Sequence, residues 1–184
     1  MKVPLTLFDF ETGRKTGTFS CTVSAGYDVT CYGLTVDRHR DNLFYARGLK
    51  NCWLFDIRTP DKPVRKFVTQ DLRISDFAVP EFGAYDKLIS VCDRSIYSYD
   101  VKSGQVLHEK EGTFSGCGSY GSVIVTAKYA NVGLEYHDAN TLEDLGKSEW
   151  NRGSSMVEPR CIQANRDGAY RLASGKLYFF PWTQ

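Results

Sequence analysis

The sequence predicts an all-β fold of four-stranded antiparallel blades, forming a partial ring or about four blades. Three observations carry that prediction. A short apolar or aromatic run ending in an acidic residue and a turn recurs along the chain, its spacing is nearly regular, and no long stretch shows the 3.6-residue periodicity of a helix. An aromatic share of 14% leans the same way.

The recurring runs are Leu5-Thr6-Leu7-Phe8-Asp9, Cys52-Trp53-Leu54-Phe55-Asp56, Ile96-Tyr97-Ser98-Tyr99-Asp100, Leu134-Glu135-Tyr136-His137-Asp138 and Leu177-Tyr178-Phe179-Phe180-Pro181. The first four keep the Asp, and the fifth replaces it with Pro181. Their last residues are 47, 44, 38 and 43 apart. That spacing brackets the roughly 40–45 residues of a WD repeat, so a WD40-like β-propeller is the expected architecture. Turn-forming residues follow each Asp: Glu11-Thr12-Gly13, Arg58-Thr59-Pro60-Asp61, Lys102-Ser103-Gly104 and Asn140-Thr141. Each run therefore reads as the third strand of a blade, joined to the fourth by a hairpin.

Fourth strands are expected at 15–21, 64–69, 105–110 and 143–149, second strands at 42–46, 87–92, 122–129 and 170–174, and first strands at 29–36, 74–79, 113–117 and 159–164. The third strands are apolar on both alternating faces: Leu54 points opposite to Trp53 and Phe55, and Phe179 opposite to Tyr178 and Phe180. Such strands call for a sheet on either side. One domain over 1–184 is expected, with blade repeats near 1–21, 27–70, 72–111, 113–150 and 157–184. The order opens on a third strand and ends on one, which is the pattern of an incomplete ring whose free faces and edges invite a partner.

The 23 basic and 22 acidic residues leave a net charge of +1, so no global field steers the chain to nucleic acid or an anionic membrane. No apolar run approaches the ~20 residues that span a bilayer, and Met1 to Phe10 lacks a signal-peptide pattern, which favours an intracellular protein of nucleus or cytoplasm. Cys21, Cys31, Cys52, Cys92, Cys117 and Cys161 are far apart and form no C-x-x-C pair, so they read as buried thiols.

A specific resemblance appears in Arg152-Gly153-Ser154-Ser155-Met156, Pro159-Arg160-Cys161-Ile162, Gly168 and Leu172-Ala173-Ser174-Gly175. This segment resembles the mitotic-checkpoint WD-repeat family that partners the checkpoint kinases, and its sister family in nuclear mRNA export. There a Ser-Ser-Leu stretch leads to Arg-Cys-Ile, then Gly, then Ser and Gly before the next strand. Elsewhere the resemblance extends only to blade layout. It implies a non-catalytic scaffold that binds a short acidic helical segment, the GLEBS motif, at the kinetochore or elsewhere in the nucleus. The role of the arginine that pairs with the segment's glutamates falls to Arg160, whose planar fork suits a carboxylate. Arg152 and Arg58 are further partner-binding candidates. The family's opening strands with their groove tryptophan, and its last blade and a half, have no counterpart in these 184 residues.

Other signals point to packing. Gly116-Cys117-Gly118-Ser119-Tyr120-Gly121 fits the G-x-G-x-x-G pattern, but a strand-like run from Ser122 follows where a dinucleotide site needs a helix, so an inter-strand turn is expected. His39, His108 and His137 share no metal spacing, and His137 holds the slot where WD repeats carry Trp. Arg38-His39-Arg40 and the Lys62 to Lys66 cluster read as solvated loops. Trp53, Trp150 and Trp182 would be interaction anchors only if left uncovered. No nucleophile with a nearby base can be named, and no enzyme activity, cofactor, metal or small-molecule substrate is expected. Protein partners are, either the acidic segment or a chain of a larger complex that completes the open propeller.

Overall fold

The computed structural model describes residues 2–22, 33–37, 39–59, 62–71, 73–80, 86–128, 133–148, 161–173 and 176–182. Two units divide the chain, Met1–Val68 and Thr69–Gln184. In the first, β1 (Lys2–Phe8) and β2 (Lys15–Thr22) form a two-stranded sheet, while β3 (Gly33–Val36), β4 (Leu43–Arg47), β5 (Asn51–Asp56) and β6 (Arg65–Val68) form a four-stranded one. In the second, β7 (Ile74–Ala78), β8 (Lys87–Cys92), β9 (Ser95–Asp100) and β10 (Val106–Glu111) make one four-stranded sheet. Another holds β11 (Phe114–Tyr120), β12 (Val123–Lys128), β13 (Leu134–Asp138) and β14 (Asp144–Ser148). A three-stranded sheet holds β15 (Cys161–Asn165), β16 (Gly168–Ala173) and β17 (Lys176–Pro181). Every pairing is antiparallel between chain neighbours, and the described residues contain no helix. The five recurring runs become β1, β5, β9, β13 and β17; β5, β9 and β13 lie next to an edge strand of their sheets, and β1 and β17 lie at an edge.

The repeated Asp has a local cause. After β1, Asp9 Oδ1 accepts hydrogen bonds from Thr12 N at 2.6 Å and Thr12 Oγ1 at 2.7 Å. After β13, Asp138 Oδ1 accepts from Asn140 N at 2.8 Å and Thr141 N at 3.0 Å, and after β9 Asp100 Oδ1 accepts from Ser103 N. The carboxylate thus takes up amides that the tight loop turns away from the ladder. Four residues past each Asp the backbone turns left-handed, at Gly13 (φ 65°), Gly104 (φ 78°) and Leu142 (φ 61°). Glycine adopts this conformation freely, whereas leucine does so at a cost of about 1–2 kcal/mol. Leu142 is nevertheless retained because it is buried, 3% exposed, in the core between the two complete sheets of the second unit. After β5 the equivalent residue, Pro60, lies outside the described residues; Asp56 Oδ1 accepts from Arg58 N at 2.9 Å and the carboxylate also binds the Arg58 side chain.

Sheet stacking follows a single rule. Counting back from the turn Asp, the residues one and three before it form an odd face of the third strand, and those two and four before it an even face. Cross-strand partners on the second strand extend each face. In the first unit Leu7, an even residue of β1, packs on the odd face of the next sheet at Phe55, Trp53 and Ala46. In the second unit Ile96, with Ile89 and Val91, covers the next sheet's odd-face Ile124. Leu134 and Tyr136, with Val125 and Ala127, then cover Ala169 and Phe180 of the three-stranded sheet. Each junction is even face on odd face.

The structure corrects three expectations. Gly116 to Tyr120 lie within β11, and only Gly121 is in a turn. The glycines serve packing: a Cβ on Gly118 would sit 2.9 Å from the carbonyl oxygen of Ile162 in β15, so only glycine lets the two strands approach this closely. The cluster at 62–66 is half strand, since Arg65 and Lys66 belong to β6. Finally, β17 is not covered on both faces, because Leu177 and Phe179 remain 68% and 48% exposed. Trp53 is buried core, and Trp182 packs against Tyr120 and Tyr136 while its Nε1 donates to Asn165 O at 2.8 Å. Trp150 lies outside the described residues, and Cys52, Cys92 and Cys117 are buried free thiols.

Gly118→Ala should cost about 1–3 kcal/mol in urea unfolding, the range for forcing an extra methyl into a packed junction. Gly17→Ala, where the new methyl meets nothing within 4 Å, should cost less. Equal losses at the two positions would refute the close-approach role of Gly118.

Candidate functional site

A cleft of about 420 Å³ opens beside β10 and β14 of the second unit. Lys110 and Glu111 border it from one sheet, Asp144, Gly146, Lys147 and Glu135 from the next, and Phe114 lies in its wall. The register of β14 shifts between its pairings to Tyr136 and His137, leaving Leu145 as an extra residue. This bulge sets Asp144 opposite His137 rather than one residue away.

A chain of polar contacts results. Lys110 Nζ lies 2.9 Å from Asp144 Oδ2, and Asp144 Oδ1 lies 3.1 Å from Nδ1 of His137. Nδ1 lacks a hydrogen bond of good geometry, so its contact with Asp144 is a close but bent electrostatic one. On the other side of the ring, Nε2 is 2.9 Å from Thr126 Oγ1. The Phe114 ring meets the imidazole edge-on. Burial, and then the Lys110 charge, holds the His137 pKa below its ordinary value, so the imidazole is neutral at neutral pH. The hydrogen bond from Lys110 is the main cause that lowers the Asp144 pKa.

Hydroxyl, imidazole and carboxylate stand here in the order of a nucleophilic triad. Thr126 and His137 are each 0% exposed, however, so no substrate carbonyl can reach the hydroxyl. What the arrangement does is tie β10 of one sheet to β13 and β14 of the next. A similar pair recurs one sheet earlier, where Tyr99, also one before its Asp, is hydrogen-bonded to Ser90 at the β8 position equivalent to Thr126. The same inter-sheet junction is stitched elsewhere by Cys117 N donating to Asp76 Oδ2 at 3.0 Å, Ser119 Oγ donating to Val79 O at 3.0 Å and Lys87 Nζ donating to Asn140 Oδ1 at 3.0 Å.

Arg160 and Arg152 lie outside the described residues. Arg58 is described, and its side chain is 69% exposed at the tip following β5. Its Nε and a terminal nitrogen grip both oxygens of Asp56, at 2.9 and 2.6 Å, and that grip holds the Asp56 pKa at about 2. An acidic partner at Arg58 would have to compete with this carboxylate. Sequence reading singled out His137 but missed Thr126, Lys110 and Asp144. The pairing of β12 with β13 was the available signal for Thr126; Asp144, moved into place by the bulge, and Lys110, from another sheet, had none. Among the described residues no group of His, Cys, Asp and Glu is placed to hold a metal ion, and no helix is long and apolar enough to cross a membrane.

No known protein-family model matches the chain, and no curated protein matches it significantly.

The His137 environment makes a pH prediction. Its folded pKa lies below the ordinary 6.5, so the unfolded chain takes up the proton first. The contribution is complete above pH 6.5 and is lost as pH falls below it toward the folded value. Asp144 acts in a separate window, below its ordinary 3.8. In His137→Gln the fall in Tm on acidification just below pH 6.5 should be shallower than in wild type. Superimposable curves would show that His137 carries none of it.

Proposed function

We propose that this protein is a non-catalytic protein-binding scaffold, in which stacked β-sheets hold short loops in fixed positions for an acidic partner segment. The observation that carries the reading is where the described polar chemistry goes. The hydroxyl–imidazole pair of Thr126 and His137 is sealed in a sheet junction, Asp144 and Lys110 are spent on each other, and the turn carboxylates cap hairpins. Stacked sheets whose polar groups are spent on one another are the usual support for a recognition surface carried on loops.

The partner class follows from the resemblance of the Arg152 to Gly175 segment to the GLEBS-binding WD-repeat family. In this reading Arg160 makes the charge-assisted contact to a glutamate of the segment, with Arg152 eight residues before it as a further contact. Arg58 is the weaker contributor, since Asp56 already holds it.

The test is calorimetric titration of an acidic GLEBS-type helical peptide into wild type, Arg160→Glu and Arg58→Glu. Arg160→Glu should weaken binding by about tenfold or more, the loss of a charge-assisted bond worth ~1.5–3 kcal/mol. Arg58→Glu should do less. No binding to wild type, or equal affinity for wild type and Arg160→Glu, would rule the reading out.

A further inference from the structure

Asp144 lines the cleft between β10 and β14 and also touches the buried imidazole of His137, so it joins a sealed polar group to an open one. The contacts form one row. Thr126 Oγ1 meets Nε2 of His137 at 2.9 Å, Nδ1 meets Asp144 Oδ1 at 3.1 Å, and Asp144 Oδ2 meets Lys110 Nζ at 2.9 Å. The row starts at two fully buried residues and ends on the side chains of Asp144 and Lys110, 65% and 25% exposed. Its last link passes from one sheet to the next.

A neutral imidazole carries one proton, and the carboxylate beside Nδ1 assigns it to that nitrogen, which leaves Nε2 to accept from the Thr126 hydroxyl. A second proton would go to Nε2. Thr126 can then turn its hydroxyl from donor to acceptor, because a hydroxyl serves as either, and Asp144 already stands at Nδ1 as a counter-ion. No strand has to move for His137 to become charged in place. Burial opposes that charge, and Lys110 opposes it next, whereas Asp144 and Glu135 favour it. Burial is fixed by the packing around the ring, including Phe114 of β11, but Lys110 sits on a long stem. Other charges face the same cleft, with Glu111 at the end of β10, Glu135 on β13 and Lys147 on β14. A Lys110 ammonium displaced from Asp144 therefore has Glu111 and Glu135 within the same cleft to turn to.

We propose that His137, Asp144 and Lys110 form an acid-sensitive latch between the two complete sheets of the second unit: neutral His137 leaves Asp144 to hold Lys110 across the cleft, and protonated His137 takes Asp144 as its counter-ion and releases Lys110. The His137 pKa lies below its ordinary 6.5, so the latch is closed at neutral pH and opens as pH falls below that value. Asp144 keeps its charge through this window, since its own pKa lies below 3.8. The effect is local to the outer end of one sheet junction, and it is independent of the acidic-segment site at Arg160.

Two measurements on the intact chain test it. Nuclear magnetic resonance of the His137 ring follows its protonation. Trace acetylation with an amine-reactive reagent, read by mass spectrometry, follows Lys110 relative to Lys102, an exposed lysine in the turn after β9, and the ratio cancels the reagent's own pH dependence. From about pH 7.5 to about pH 4.5 the ratio should rise about twofold or more, the lower end of the coupling between contacting charged groups. That rise should share its midpoint with the His137 titration. In His137→Gln the ratio should stay flat, and in Asp144→Asn it should be high throughout. Thr126→Val takes away the acceptor for the second proton, so the rise and the ring titration should move together to lower pH. Circular dichroism verifies that each variant is folded. A His137 ring that does not titrate in the folded chain, a ring that titrates while the ratio stays flat, or a rise that persists in His137→Gln would each overturn the proposal. Wild type alone decides the first two, whatever the variants do to folding.

Discussion

A β-strand that is apolar on both faces must be covered twice. That constraint organises everything described above. Burying one Leu, Ile or Phe side chain contributes about 1.5–3 kcal/mol, whereas a single turn hydrogen bond contributes about 1 kcal/mol net. The sheet junctions therefore dominate, and the Asp-capped turns act mainly to fix register. Leu134, Val125, Ala127, Ile89, Val91, Ile96 and Ile124 are each fully buried, and every one lies in a junction between consecutive sheets. Nothing inside an isolated sheet of this kind could supply that burial.

Buried polar groups do a different task. His137 and Tyr99 stand where other repeats of this chain place Phe55 and Phe180, and each finds a hydroxyl partner on the adjacent strand. A buried imidazole or phenol left without such a partner would be costly, so these pairs permit only one register between the second and third strands. Lys110 and Asp144 extend the principle from within a sheet to the contact between sheets.

The strands and turns were legible because their determinants are local. Alternation with period two, an Asp, and a left-handed glycine four residues later all lie within one hairpin, and the expected third strands agree with β1, β5, β9, β13 and β17 to within three residues at either end. The contacts between sheets were not legible. Gly118 owes its identity to the Ile162 carbonyl and Asp144 owes its place to a bulge, neither of which leaves a mark in the neighbouring sequence. For that reason the G-x-G-x-x-G stretch read as a turn when most of it is strand. Of the candidate site residues only Arg58 is described, and its pairing with Asp56, two residues away, was within reach of a sequence reading.

Leu142 gives the loop after β13 an unusual standing. Where Gly13 and Gly104 make the same bend with no side chain, Leu142 inserts into the core shared by two sheets. The hairpin cannot open at its tip without withdrawing a core residue, so its amides should exchange with solvent only when the junction itself comes apart. A surface turn is in this way made to open together with the core junction, and the adjoining edge strand β14 is held at the same time.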